Sequence, residues 1–279
     1  MNKTKVLPIL FLATPSFVLA NNLNDEWDES DKKSAWSGYV SADYSRNGYE
    51  DSAYLANRSA SATGVLRYAV SDKSRLQLVV SGYHQQDGDV YGTRGQFWND
   101  TSLSWAYNGL FNPTEGSSVS GEIRAIFPTS KSSKRNDLQF GTRLKLRWSA
   151  AFDEWLDGLT LSNTVLLRKN FHEYKTAGGY QLIEYRLSNQ FSVDYAFADD
   201  FYFNIFLMPR QSWNYQGNSL DPTILHGEEI GYQMTESISM SVGMTNSVGY
   251  YNPDKGQNPL NDLIDLKKMT YYAVVNYQF

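Results

Sequence analysis

Met269-Thr270-Tyr271-Tyr272-Ala273-Val274-Val275-Asn276-Tyr277-Gln278-Phe279 is the stretch whose reading decides the fold. Counting back in twos from Phe279 gives Tyr277, Val275, Ala273, Tyr271 and Met269, an apolar and aromatic set. The residues between are Gln278, Asn276, Val274, Tyr272 and Thr270, which are mostly polar. Successive side chains of a strand point to opposite sides, so this period marks a strand whose two faces meet different surroundings. A length of about 9 to 11 residues is what a tilted strand needs to cross a bilayer.

The same alternation recurs upstream. Trp36, Gly38, Val40, Ala42 and Tyr44 share one side, and after a polar loop Ala60, Ala62, Gly64, Leu66 and Tyr68 resume it. A short turn at Val70 to Lys73 leads to Leu76, Leu78 and Val80, and a longer loop from Gln85 to Phe97 leads to Thr101, Leu103, Trp105 and Tyr107. Val119 to Phe127 and Leu138 to Trp148 continue the pattern. Further strands are expected from about Leu159 to Phe171, Tyr180 to Tyr195, Phe201 to Trp213, Ile224 to Met234 and Ile238 to Tyr250. The terminal stretch is then the twelfth strand, expected to pair with the first. Two connections that should be short, Asn108 to Ser117 and Ser149 to Gly158, are long, so ten or fourteen strands stay open beside the favoured twelve. Aromatic residues gather at both strand ends: Trp36, Tyr68, Tyr107, Trp148, Tyr195 and Phe279 at one, Tyr44, Phe127, Phe171, Trp213 and Tyr250 at the other. Paired girdles of this kind are what a bilayer-spanning barrel carries. Soluble sandwiches use similar strands but bury the apolar face.

An amphipathic last strand ending in Phe279 resembles the closing strand of bacterial outer-membrane β-barrel proteins. That resemblance implies an all-β, antiparallel transmembrane barrel over residues 34–279, lodged among outer-membrane lipid and lipopolysaccharide. It also implies that Phe279 is read by the barrel-assembly machinery. The N-terminus agrees: Lys3 and Lys5 precede a mostly apolar run from Val6 to Leu19, and Val18-Leu19-Ala20 supplies a cleavage site, so residues 1–20 read as a signal peptide cut after Ala20. Residues 21–33, with Asp25, Glu26, Asp28, Glu29 and Asp31, read as an acidic periplasmic lead-in. Removing Lys3 and Lys5 lowers the basic count from 25 to 23 against 30 acids, so the exported chain carries about −7 and is a poor binder of nucleic acid. The absence of cysteine excludes thiolate catalysis and cysteine metal sites.

If the apolar faces meet lipid, the alternate residues line the lumen. That set holds Arg67, Arg75, Arg124, Arg143, Lys145, Arg147, Arg168, Arg186 and Arg210 against Asp43, Asp100, Glu122, Glu184, Asp194 and Glu229. The interior is basic in an acidic protein. Two readings stay open: a track that attracts anionic solutes, and a barrel filled by cross-strand ion pairs. In strand count and basic interior the chain is loosely similar to small monomeric porins for acidic oligosaccharides, the oligogalacturonate and sialic-acid channels, though no motif carries residues across.

Competing functions leave weaker marks. Outer-membrane phospholipase A resembles the chain in size, but its His-x-Ser pair has no counterpart, since His84, His172 and His226 are followed two residues on by Gln86, Tyr174 and Glu228. A spatial cluster of His84, His226 and Glu228 near the outer rim would be needed for an omptin-like hydrolase. A non-conducting structural or adhesion barrel is the other alternative. Asp87-Gly88-Asp89 is read as a turn before a calcium site, and no cofactor or metal is implied. In the loop from Asn252 to Lys268, Leu260, Leu263, Ile264 and Leu266 recur at partly helical spacing, and the expectation is a short helix folded over or into the barrel mouth. The favoured reading is passive diffusion of small hydrophilic solutes, selected for negative charge by the arginines.

Overall fold

A computed structural model describes residues 35–49, 56–87, 94–198, 200–249, 251–252, 256–257 and 261–279. The expected signal peptide and acidic lead-in lie outside the described residues, as do Gly88, Asp89, Tyr250 and Leu260. The described residues form twelve barrel strands: β1 Trp36–Asn47, β2 Arg58–Ser71, β3 Ser74–Gln85, β4 Thr101–Phe111, β5 Ser117–Phe127, β6 Leu138–Ala151, β7 Leu159–His172, β8 Ile183–Ala198, β9 Phe201–Asn214, β10 Ser219–Gln233, β11 Ile238–Gly249 and β12 Thr270–Gln278. Each pairs antiparallel with its neighbours in the chain, and β12 pairs with β1 in a register running from Tyr39 opposite Gln278 to Asn47 opposite Thr270. The sheet is therefore closed. Phe279 locks the seam, since its N–H donates to the Gly38 carbonyl at 3.0 Å and its carbonyl accepts from the Gly38 N–H at 2.9 Å. A side chain at position 38 would run into the Phe279 ring, which explains a glycine there.

Closure follows from the surroundings: hydrocarbon supplies no hydrogen-bond partners, so an open strand edge would leave a row of unsatisfied backbone groups. The alternation read from the sequence then sorts every strand into two faces. Val40, Leu78, Trp105, Ile123, Leu146, Leu207 and Val275 point outward and are exposed; Ser41, Gln77, Ser104, Glu122, Lys145 and Asn276 point inward and are buried. Rings pack along both rims of the outer surface. At the end holding both termini, Trp36 meets Tyr68 at 4.8 Å, and Tyr195, Phe197, Phe201 and Tyr232 form a chain with centroid spacings of 6.0, 5.9 and 4.6 Å. At the far end Phe127, Phe140 and Phe171 pack in sequence, the first pair tilted and the second stacked. An apolar band between two aromatic rims is the surface of a barrel that spans a bilayer.

The structure corrects several boundaries. The two connections that looked too long are shortened by strand extension: β4 runs on to Phe111 through an irregularity after Tyr107, with Gly109 at φ 59°, and β6 runs on to Ala151. β8 starts at Ile183 rather than Tyr180, because Tyr180–Gln181 folds back on Thr176–Ala177. β10 starts earlier than expected, at Ser219. Met269, assigned by parity to the lipid face, is buried, since it precedes β12 and is covered by the turn whose Asp265 carbonyl accepts its N–H at 3.0 Å. Asp87 belongs to a pair with Arg58, whose Nε and Nη2 donate to its two oxygens at 2.6 and 2.8 Å; this bidentate contact holds the carboxyl below the usual aspartate range.

One wall of the lumen is built on cross-strand pairs of glycine with an aromatic residue. Gly231 faces Tyr202, Gly243 faces Tyr272 and Gly227 faces Phe206, and a Cβ at any of the three would overlap the partner ring. The rings lie flat where side chains would otherwise stand. Both hydroxyls then reach Glu229, Tyr202 donating to Oε1 and Tyr272 to Oε2, each at 3.0 Å. Replacing Gly243 by valine should displace Tyr272 and destabilise the barrel by about 1 to 3 kcal/mol, the usual cost of overpacking. Heat-dependent unfolding followed by gel mobility checks this: an unchanged transition would mean that the Tyr272 ring has room to move aside.

Candidate functional site in the barrel lumen

All nine basic residues singled out in the sequence stand on the inward face of their strands, but they divide into two groups. Arg124 on β5, Arg143 on β6, Arg168 on β7 and Arg186 on β8 are successive cross-strand partners. Strands lie about 4.8 Å apart, so four guanidinium stems leave the wall side by side in a single row. Arg210 stands on β9 beside them, opposite Thr223, with Ser188 as its partner on β8. These five arginines share a cavity of about 430 Å³ in the far half of the barrel, whose remaining lining includes Asp43, Ser61, Thr63, Asp100, Ser130 and Gln190.

Like charges directly opposite one another are destabilising, so the row needs compensation. Glu122, two residues before Arg124, supplies part of it. Its Oε1 accepts from Arg124 Nε and from Arg143 Nη2, both at 2.8 Å, and its Oε2 accepts from Arg124 Nη2 at 3.1 Å. Glu122 and Arg124 are almost fully buried. The rest of the row has only neutral partners: Arg168 Nε donates to Asn170 Oδ1 at 2.8 Å and Arg186 Nε to Ser212 Oγ at 3.3 Å. Among the described residues Arg168, Arg186 and Arg210 have no carboxylate within ion-pair distance, and the buried Nε of Arg210 has no hydrogen-bond partner. The cavity's own carboxylates are partly occupied, the buried Oδ2 of Asp43 having no hydrogen-bond partner among the described residues. Asp43 accepts from Ser61, and Asp100 accepts from Ser130 N at 3.0 Å and Ser133 Oγ at 2.6 Å, pinning the capped turn of helix Lys131–Arg135. What remains on offer is three guanidiniums and a ring of hydroxyls.

The second group, Arg67, Arg75, Lys145 and Arg147, sits toward the end that holds the termini. Arg67 lies over the Tyr39 ring at 5.3 Å, and Arg147 reaches Asp194 at 3.8 Å and Ser162 at 3.3 Å. Asp194 also accepts from Asn204. The expected pairing therefore occurs here, and it defines a layer distinct from the arginine row. Glu184 belongs to neither group: it contacts Lys169 at 3.5 Å, on the outward parity of β7, so the expectation that it lines the lumen beside the arginines is not what the structure shows. The irregular register between Ile183 and Tyr185 is the reason alternation failed there.

No protein-family model and no curated protein sequence matches the chain. Solved structures do. An outer-membrane channel from Pseudomonas putida F1 superposes with a TM-score of 0.59 at 12% identity, over 91% of this chain and all of that one (100%). The NanC porin gives 0.53 at 12% identity, covering 86% and 98%, and the KdgM porin, solved in complex with disordered oligogalacturonate, gives 0.50 at 12% identity, covering 86% and 99%. The fold is the closed antiparallel β-barrel that these proteins share. The likeness extends over nearly the whole of each neighbour, and at such identity it speaks for architecture.

The last loop departs from expectation. The 3-10 turn Asn261–Ile264 does not cross the mouth; the structure sets Leu263 and Ile264 against the outside of the barrel. His226 and Glu228 have the parity of outward Ile230 and Tyr232, and they lie opposite outward Leu207 and Ile205. The Leu263 carbonyl accepts from His226 Nε2 at 2.7 Å and from Asn246 Nδ2 at 3.0 Å, while His226 Nδ1 lies 2.9 Å from Glu228 Oε1. Polar groups on a lipid-facing wall are costly when unsatisfied, and the descending loop covers two of them. Ile264 and Leu266 remain exposed. This also separates the proposed hydrolase cluster: both His226 ring nitrogens are engaged without a hydroxyl, and His84 stands on β3, away from β10. The signal that could have found the arrangement is polar His226, Glu228 and Asn246 at apolar parity. Replacing His226 by leucine should free the segment, raising amide exchange at Lys268 and Met269 while leaving conductance unchanged; a rise in conductance would restore the mouth-closing role.

Proposed function

We propose that the chain is an outer-membrane channel for passive diffusion of small hydrophilic solutes, with a preference for anions. The observation that carries the reading is the row Arg124, Arg143, Arg168 and Arg186, joined by Arg210, around one cavity in which three carboxylates, Glu122, Asp43 and Asp100, oppose five guanidiniums among the described residues, with Glu122 and Asp100 already bound. In a low-dielectric wall such a set lowers the electrostatic cost of bringing a carboxylate or phosphate out of water. The serines and Gln190 around it offer hydrogen bonds to hydroxyls, which suits an acidic sugar better than a bare ion. The KdgM porin, of similar fold, was solved with oligogalacturonate, a polyanion, and this supports the same direction of charge preference.

The rest of the reading follows from it. The chain is exported with a signal peptide cut after Ala20 and assembled with Phe279 as the terminal mark. It sits among outer-membrane lipid and lipopolysaccharide and uses no cofactor. Among the described residues the hydrolase alternative has no nucleophile hydrogen-bonded to the His226 ring. Swelling of proteoliposomes in solutions of matched neutral and acidic sugars tests the preference. Acidic sugars should enter faster through the wild type, and Arg168→Gln/Arg186→Gln/Arg210→Gln should remove the difference; equal rates through the wild type would defeat the assignment.

A further inference from the structure

The loop between β5 and β6 turns back toward the barrel interior. Ser130, Ser132 and Ser133 line the same cavity as Arg143, Arg168 and Arg186, so the short helix Lys131–Arg135 lies against the arginine row at the far end of the lumen. That is the place expected for the segment around Leu263 and Ile264, which lies outside the wall instead. A hydrophilic turn gains little from apolar burial, so specific bonds must hold it there.

Those bonds come from the three residues that lead into β4. Thr129 Oγ1 accepts from Thr101 N at 2.8 Å and donates to the Asn99 carbonyl at 2.9 Å. Asp100, between them, grips the first turn with both oxygens: Oδ1 accepts from Ser130 N at 3.0 Å and Oδ2 from Ser133 Oγ at 2.6 Å. Ser130 caps the helix, its Oγ accepting from Ser133 N at 3.1 Å. The exit is fixed at Asp137, whose φ of 50° is the left-handed conformation that stops a helix and whose carbonyl accepts from Glu173 N at 2.9 Å.

The chemistry of the turn is divided. Toward the cavity it offers hydroxyls. Lys131, Lys134 and Arg135 are exposed, and among the described residues none has a carboxylate within ion-pair distance. Their charge gathers anions at the mouth, while the serines leave charge recognition to the arginines behind them.

We propose that Asp100 is the positioning residue of a size filter: by holding residues 130–136 against the arginine row, it sets the largest solute that reaches Arg168, Arg186 and Arg210. Pore width and the placement of charge are separate determinants of selectivity. Here width depends on the pinned turn and charge on the row, so mutation should separate them. A filter has meaning only in a protein that conducts, and so this one rests on the channel reading.

Two substitutions at one position make the test. Asp100→Asn removes the charge but keeps an oxygen for Ser130 N and an amide able to donate to Ser133 Oγ. Asp100→Ala removes the same charge and both bonds. Proteoliposomes carrying the full-length protein are swollen in neutral oligosaccharides of increasing length, which frees the size limit from charge preference. Entry of the first sugar that the wild type excludes should rise severalfold with Asp100→Ala. Asp100→Asn should keep the wild-type limit, although its reversal potential moves toward chloride. A bulky uncharged maleimide on Ser132→Cys, clean in a chain without cysteine, should lower the limit below that of the unlabelled variant. Should Asp100→Ala fail to assemble, as judged by gel mobility, Ser133→Ala removes one of the two bonds and should raise the limit by less. Equal limits for the bond-breaking variant and Asp100→Asn, or a limit that the label leaves unchanged, overturn the filter and spare the channel. Uptake of no sugar by the wild type overturns the channel reading, and the filter with it.

Discussion

The seam between β12 and β1 is the constraint on which the rest depends. Inside a bilayer no backbone N–H or C=O can turn to water, so a sheet must either close or not span. Here the first and last strands meet in one continuous register, finished by reciprocal hydrogen bonds between Phe279 and Gly38. Closure fixes which face looks at lipid. Once the outward parity is set at Val40 and Val275, it propagates through antiparallel pairing, and the arginines are carried inward together.

Inside, the same pairing creates an electrostatic problem and leaves it partly unsolved. Four arginines on adjacent strands repel one another, and a structure selected for stability alone would replace them or match each with a carboxylate. Glu122 is shared between two of them, while Arg168 and Arg186 find only an amide and a hydroxyl. Ionisable groups held in a cleft with only neutral partners are candidates for a functional site. Glu122 pairs with Arg124 and Arg143, Asp194 with Arg147, and Glu229 accepts from two tyrosine hydroxyls, so among the described residues the carboxylates leave Arg168, Arg186 and Arg210 without an ionic partner.

Much of this was legible because a membrane strand writes two solvents into alternate residues. The terminal strand, its pairing with β1, the aromatic rims and the inward set around Arg124 to Arg186 could all be read from period two. What could not be read is where the period breaks. Irregularities near Tyr107 and Ile183 break the alternation without a sequence mark strong enough to see, which misplaced Glu184 and made the connection after Tyr107 look too long. The cross-strand row of arginines was also hidden, since alternation gives the face of a residue but not the register between strands. His226 and Asn246 occupy apolar parity and are satisfied by a carbonyl from a distant loop, a tertiary bond that no local pattern announces.

The central claim is that this lumen favours anions although the protein as a whole is acidic. The reversal potential of the unmodified protein in a planar bilayer under a potassium chloride gradient tests it most directly. The account predicts a potential displaced toward the chloride equilibrium value, and a smaller displacement at high salt as the arginine field is screened. A potential displaced toward the potassium value would contradict it.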